Sequence, residues 1–322
     1  MAMNRRFELI LVVLIVIGAA YYTRAEYIPP FSERHVEVAE EKYALDVGDP
    51  GPWFSAWSVG DGQAFAVIAA DPTGMKLSAE IKEPAYRFTR AGFGWLAAVA
   101  SFGRESWIPY GMAVIGVLSL AGLVIFAISV REQLGPRIWL LLVNPAIYLG
   151  FAGDTAEPLA LLLLTAAVFS GSVWAALALG VTRPSYLVAL IGRWRELSFG
   201  LAATAAILVY GLIRFGADQF VPDGGRIGLP FSAFVEHSTF LGWMLVAIAV
   251  GTLGVGLKRR DWAWVVSGVL VICLGSDVIA DPINAWRAAG MIPVLWAFGP
   301  GYQAVQAASS RNAVPTSMPL GK

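Results

Sequence analysis

The chain has 322 residues, of which 57% are hydrophobic and 14% charged, and its mean hydropathy is +0.65. Soluble domains are about 45–50% apolar and about 25% charged, so this composition is typical of a membrane protein and excludes a disordered chain, a disulfide scaffold and a conventional cytosolic enzyme. The 23 basic and 23 acidic residues cancel to a net charge of zero, which gives no indication of a nucleic-acid partner.

Apolar segments recur along the chain and predict an all-α, polytopic membrane protein with about ten transmembrane helices. Residues 5 and 6 are both arginine and precede the first segment, so the positive-inside rule places the N-terminus in the cytoplasm. A cleaved signal peptide is the alternative for this first segment. The predicted spans are 7–22, 107–130, 138–152, 159–171, 172–181, 185–192, 199–215, 239–257, 262–279 and 286–298. The segments 172–181 and 185–192 are each too short to span alone, and we interpret them as a broken hairpin with Arg183 at its outer apex.

A long polar stretch, 23–106, separates the first span from the others and is predicted to be the first extracytoplasmic loop. It carries 12 of the 23 acidic residues, which favours contact with water. Within it, 91–102 is apolar but too short to cross about 30 Å, so we expect an interfacial or re-entrant helix there. The domain prediction is one transmembrane domain over 1–302 and a flexible cytoplasmic tail over 303–322.

Charge supports this layout, because four basic clusters then fall on the cytoplasmic side. The clusters are Arg5 and Arg6, Arg131 and Arg137, Arg193 and Arg195, and Lys258 to Arg260. The same layout brings other charged residues together at the outer face. They are Asp61, Arg87, Arg90, Asp154, Glu157, Arg183, Asp277, Asp281 and Arg287. Since charges at membrane depth are tolerated mainly in cavities or pairs, the set predicts a polar cavity that opens outward, although any one of them can be a snorkelling anchor or a turn former.

Four short motifs occur in order along the chain. They are Asp61-Gly62 with Phe65 and then Tyr86-Arg87-Phe88-Thr89-Arg90; Asp154-Thr155-Ala156-Glu157-Pro158-Leu159; Thr182-Arg183-Pro184; and Trp286-Arg287. With these motifs, residues 1–300 resemble the GT-C superfamily of polytopic glycosyltransferases, and most of all its mannosyltransferase-like members. The chain departs from that pattern where relatives place Tyr or Trp close behind the loop acid, because it has Ala64-Phe65-Ala66 there.

The resemblance implies a GT-C-like fold and an inverting hexosyltransferase in the cell inner (plasma) membrane, which moves a sugar from a polyprenyl-phosphate donor to a glycan, lipid or protein acceptor at the extracytoplasmic face. We assign Asp61 as the general base, since burial can raise a carboxylate pKa toward the working pH. Arginine holds phosphate oxygens through its planar fork, so the donor-phosphate candidates are Arg287, Arg183, Arg87 and Arg90. Asp154, Glu157 and Tyr86 are candidates to orient an arginine, the sugar or a divalent metal ion.

Two other functions remain open at this point. One is a non-catalytic lipid-handling or accessory membrane protein that keeps a GT-C-like shell. The other is a secondary transporter, against which the lack of a clear internal repeat counts.

Overall fold

The computed structural model describes residues 5–27, 61–75, 84–216, 228–280 and 282–299. Every regular element in these ranges is helical, with fifteen α-helices, so the prediction of an all-α protein is confirmed. Two parts of the predicted loop 23–106, residues 28–60 and 76–83, lie outside the described residues. The whole predicted tail 303–322 also lies outside them.

The helices of the described residues follow one another along the chain. They are α1 (Arg5–Tyr27), α2 (Asp61–Ala70), α3 (Pro84–Phe88), α4 (Gly92–Ala100), α5 (Ile108–Leu134), α6 (Pro145–Ala152), α7 (Glu157–Ser170), α8 (Val173–Thr182), α9 (Trp194–Phe215), α10 (Ser232–Glu236), α11 (Phe240–Arg259), α12 (Trp262–Ile272), α13 (Ser276–Ile279), α14 (Pro282–Ala288) and α15 (Met291–Phe298). Three 3₁₀ segments lie between them, at Glu105–Trp107, Pro136–Leu141 and Pro184–Leu190.

Three stretches are long and apolar enough to cross a membrane, which indicates a multi-pass membrane protein. They are Glu105–Leu134, Trp194–Phe215 and Phe240–Arg259. The prediction of about ten spans is therefore wrong for the described residues. Helix α7, for example, has 14 residues and rises roughly 21 Å, which is less than the roughly 30 Å of a hydrocarbon core.

Breaks in the backbone explain why the other predicted spans are not continuous helices. The segment 138–152 is divided by Asn144, which caps α6 through a hydrogen bond from the amide of Ala146 to its Oδ1. The segment 286–298 is divided at Gly290, between α14 and α15. The break predicted within 172–192 is confirmed, since α8 ends at Thr182 and a 3₁₀ segment begins at Pro184. The apolar piece 91–102 does contain a short helix, α4.

Two hydrophobic cores hold the helices together. The larger one contains residues of α1, α5, α6, α7, α8, α11, α12 and α15 and of the 3₁₀ segments Pro136–Leu141 and Pro184–Leu190. The smaller one joins α2, α4 and the start of α5, and it includes Phe65, Phe93 and Met112. Ala156 and Leu159, which flank the start of α7, also belong to the smaller core. The beginning of α7 therefore lies where the two cores meet.

Aromatic contacts bring together the helix ends near which several basic residues lie in the chain. Phe169 near the end of α7 lies 5.0 Å from Phe126 and 6.4 Å from Phe298, measured between ring centroids. Trp296, in the same helix as Phe298, lies 5.1 Å from Trp264, close to the turn between α11 and α12. We call this the basic end, and its basic residues are Arg131, Arg137, Arg193, Arg195, Lys258, Arg259 and Arg260.

Candidate functional site

Glu157 is the first residue of α7 and lies at the end of the helix opposite the basic end. It is completely buried. A carboxylate in the first turn of a helix is stabilised by the helix dipole, and Pro158 behind it needs no backbone hydrogen bond at that position. The hydroxyl of Thr155 donates a hydrogen bond to Oε2 of Glu157. A side chain at Gly150 would put its Cβ 2.8 Å from Cβ of Glu157, so glycine leaves the space that this carboxyl group occupies.

Two arginines from distant parts of the chain contact this carboxylate. Nη2 of Arg183 lies 3.2 Å and Nη2 of Arg287 lies 3.1 Å from the same oxygen, Oε1 of Glu157. Their side chains are only 12% and 10% exposed. A buried charge is costly unless it is paired, so the three side chains stabilise one another and leave a net charge of +1. We call Glu157, Arg183 and Arg287 the charged cluster.

The chain turns so that Arg183 reaches Glu157. Arg183 follows the last residue of α8 with an extended φ of −149°, and it precedes Pro184. A residue before proline is disfavoured in the α conformation, so α8 ends there rather than continuing. The result is that Arg183 lies at the apex of the break and points its guanidinium to the start of α7.

Arg287 is held from several directions. The hydroxyl of Tyr186 donates to the Arg287 carbonyl oxygen over 2.6 Å, and Nη1 of Arg287 donates to Oδ1 of Asn284 over 3.1 Å. Nδ2 of Asn144 donates to the Gly290 carbonyl oxygen over 2.8 Å, which ties the end of this segment to α6. Tyr186 is fully buried, and its hydroxyl oxygen would collide with a Cβ at Gly290.

The predicted residues Tyr86, Arg87 and Arg90 form a second group. The Cζ atoms of Arg90 and Arg87 lie 4.8 Å and 5.9 Å from the centroid of the Tyr86 ring, and Arg90 is buried. The backbone after Arg90 packs on the end of α8, because a Cβ at Gly92 would lie 2.6 Å from the Thr182 hydroxyl. This group is therefore next to the apex that carries Arg183.

Other predicted site residues are placed only in part. Asp154 is buried and adopts a left-handed backbone with φ of +46°, a conformation in which aspartate is several-fold enriched. Asp61 is the first residue of α2, and its side chain lies outside the described residues, as do those of Asp277 and Asp281. Helix α2 packs through Phe65 into the core that also holds Ala156. Within the described ranges, no group of three or more His, Cys, Asp or Glu residues is arranged to hold a metal ion.

Sequence reasoning missed the side chains that position the arginines. Thr155 and Tyr186 lie two and three residues from Glu157 and Arg183 in the chain, so their closeness was visible, but their hydrogen-bond partners were not. Asn144 was not among the predicted site residues; its side chain caps α6 and also donates to the Gly290 carbonyl oxygen, which is far away in sequence. Asn284 stands one helical turn before Arg287, a spacing that can bring two side chains together.

The geometry gives the charged cluster capacity for an anion. Arginine has five N–H donors, and Nε of Arg183 is a buried donor with no hydrogen-bond partner among the described residues. Buried donors are normally satisfied, so an unmatched one at a cationic cluster indicates a place for a water or an anionic oxygen.

Comparisons with protein-family profiles, with curated proteins and with solved structures find no match to this chain.

Proposed function

We propose that the chain is a membrane glycosyltransferase that transfers a sugar, with inversion, from a polyprenyl-phosphate donor to an acceptor at the extracytoplasmic face. The observation that carries this proposal is the convergence of Arg183 and Arg287 on one buried carboxylate at the start of α7. The net charge of +1 on this cluster complements the single negative charge of a phosphodiester, and the candidate spans are apolar enough to lie beside a polyprenyl chain.

The proposed orientation follows from charge. Lysine and arginine concentrate on the cytoplasmic side of membrane proteins, so the basic end faces the cytoplasm in the plasma membrane and the N-terminus is cytoplasmic. Glu157 and Phe169 lie at opposite ends of α7, and Phe169 belongs to the basic end. The charged cluster then faces the extracytoplasmic leaflet, where a polyprenyl-phosphate sugar can present its headgroup.

The proposed reaction uses few protein groups. The carboxylate of Asp61 takes the proton of the acceptor hydroxyl while the acceptor oxygen attacks the anomeric carbon. The bond from the anomeric carbon to the phosphate oxygen breaks, and the electron pair leaves with the polyprenyl phosphate. Arg183 and Arg287 stabilise the negative charge that develops on this leaving group.

The remaining candidate residues have supporting roles in this proposal. Glu157 orients the two arginines, and its contacts at 3.1 and 3.2 Å support that role. Arg87 and Arg90 add positive charge beside the apex of Arg183. Asp154 and Tyr86 bind sugar hydroxyls, or Asp154 contacts a divalent ion if the reaction needs one.

The test is transfer by the purified full chain in lipid nanodiscs, supplied with a panel of radiolabelled polyprenyl-phosphate hexoses and a membrane-lipid extract as acceptor. We expect wild-type protein to release polyprenyl phosphate and form a labelled product. We expect Asp61→Asn to abolish transfer while the protein stays folded, and Glu132→Gln, an exposed acid at the basic end, to have no effect. Transfer by Asp61→Asn at the wild-type rate would show that Asp61 is not the base.

A second candidate is a non-catalytic lipid-handling or accessory protein. It is favoured by the contacts of Glu157 with both arginines and with Thr155. A cluster of this kind stabilises the packing of helices even when it takes no part in a reaction. This candidate predicts that the wild-type chain binds polyprenyl-phosphate sugars but forms no product with any donor. It also predicts that Asp61→Asn leaves lipid binding unchanged.

A further inference from the structure

The basic end carries exposed tryptophans as well as exposed cations. Trp174, Trp194 and Trp262 are 77%, 69% and 63% exposed. Trp194 stands between Arg193 and Arg195, and Trp262 follows the run Lys258, Arg259, Arg260 and Asp261. Large aromatic side chains with a polar N–H group favour the boundary between lipid headgroups and acyl chains.

These residues belong to one surface. Nη1 of Arg193 lies 3.4 Å from the Ala167 carbonyl oxygen, which places the start of α9 beside the end of α7. Phe169 in α7 contacts Phe298, and Trp296 in the same helix contacts Trp264 behind the Lys258 to Arg260 turn. The turn before α8, the turn before α9 and the turn between α11 and α12 are therefore neighbours.

Charge on this surface is strongly unbalanced. Its seven basic residues stand against three acidic ones, Glu132, Glu196 and Asp261, which leaves a net charge of +4. Lys258, Arg259 and Arg260 are all exposed, and none of them has an ion-pair or hydrogen-bond partner through its side chain in the part of the chain that the structure describes. Asp261, whose carboxylate caps α12 by accepting from the Ala263 amide, is already counted in this net charge.

We infer that the basic end binds anionic phospholipid headgroups, with Lys258, Arg259 and Arg260 contacting the phosphates and Trp262 and Trp194 lying at the headgroup level. Charge complementarity selects this occupant: cationic residues close to the end of a candidate span attract anionic lipids, and the adjacent tryptophans favour a lipid boundary over open water. A zwitterionic lipid carries no net charge and lacks this attraction. The inference does not depend on the proposed transferase activity, because it concerns the opposite end of the helices.

The experiment is native mass spectrometry of the purified full chain in a non-ionic detergent, titrated with phosphatidylglycerol or with phosphatidylcholine. We expect the first bound phosphatidylglycerol to have an affinity at least about tenfold higher than that of phosphatidylcholine, with the difference shrinking as salt is raised. The triple variant K258Q/R259Q/R260Q is expected to remove that preference. Arg104→Gln is the control, because Arg104 is an exposed arginine beside a tryptophan, with its Cζ 5.0 Å from the ring of Trp107, and it precedes a different candidate span, Glu105–Leu134, at the end away from Arg131.

A second variant tests the inference if the triple variant fails to insert or fold. Trp262→Ala keeps every charge, and we expect it to weaken phosphatidylglycerol binding several-fold without changing the thermal unfolding temperature in detergent alone. Equal affinities for the two lipids in wild-type protein would overturn the inference. So would a loss of preference in Arg104→Gln equal to that in the triple variant.

Discussion

Tyr186 donates its hydrogen bond to the backbone carbonyl of Arg287, not to a side chain, and it does so while fully buried. The ring of Tyr186 also lies 5.8 Å from Cζ of Arg183. One phenol therefore contacts the segments that carry both arginines of the charged cluster. The relation makes Tyr186 a positioning residue for Arg183 and Arg287.

We predict that Tyr186→Phe destabilises the protein by about 1 kcal/mol, because the Arg287 carbonyl loses one of its two donors and keeps the amide of Gly290. Chemical denaturation of the detergent-solubilised protein measures the change. Tyr22→Phe is the control: Tyr22 is 68% exposed, and its substitution is expected to change the free energy of unfolding by less than about 0.5 kcal/mol. Equal effects of the two substitutions would contradict the positioning role.

Glu157→Gln is predicted to be more damaging, because it leaves two buried guanidinium groups close together without their carboxylate. Removing one partner of a buried ion pair costs about 3–5 kcal/mol, and here the loss affects two pairs. The expected result is a large fall in the denaturation midpoint, with Glu132→Gln as the exposed control.

A double substitution separates charge from packing at the same site. Glu157→Gln combined with Arg183→Gln removes one negative and one positive charge, so the net charge of +1 is restored. We expect the double variant to be more stable than Glu157→Gln alone, as a double-mutant cycle would show. Strictly additive losses would mean that the two side chains are not coupled.

The sequence predicted some of these features and not others, for physical reasons. The helical class and the break at Arg183 could be predicted, because hydrophobicity, proline and glycine act locally. The number of spans was overestimated, because mean hydropathy averages over breaks such as Asn144-Pro145, where a new helix begins and one polar residue changes the average little. That acids and arginines would gather at one end was an expectation from charge, and the structure brings Glu157, Arg183 and Arg287 into contact. The contact of Tyr186 with the Arg287 carbonyl joins two segments far apart in the chain, and no local pattern encodes it.

Helix α8 is predicted to need glycine where it crosses α9. A Cβ at Gly180 would collide with the Gly200 carbonyl oxygen and lie 3.1 Å from Oγ1 of Thr204, whose hydroxyl donates to the Gly180 carbonyl. Gly180→Ala is therefore expected to destabilise the protein by about 1–3 kcal/mol through overpacking. Gly254→Ala in α11 is the control, because no atom lies within 4 Å of its Cβ position, and alanine there is expected to be neutral or slightly stabilising. The thermal unfolding temperature of both variants in detergent decides between these outcomes.

The last prediction concerns orientation, and it uses the two ends of one candidate span. Arg104 and Gln133 are both exposed; Arg104 precedes Glu105–Leu134, and Gln133 lies near its end beside Arg131 at the basic end. In a Cys273→Ser background, which removes the one native thiol, we expect Arg104→Cys to react with a membrane-impermeant maleimide in intact spheroplasts. We expect Gln133→Cys to react only after permeabilisation, because the proposed orientation places the basic end on the cytoplasmic side. Arg260→Cys is the matched position on another helix and should behave like Gln133→Cys.

Two outcomes would contradict this orientation. Labelling of Arg104→Cys and Gln133→Cys from the same face would mean that Glu105–Leu134 does not cross the membrane. Labelling in the reversed order would place the charged cluster on the cytoplasmic side.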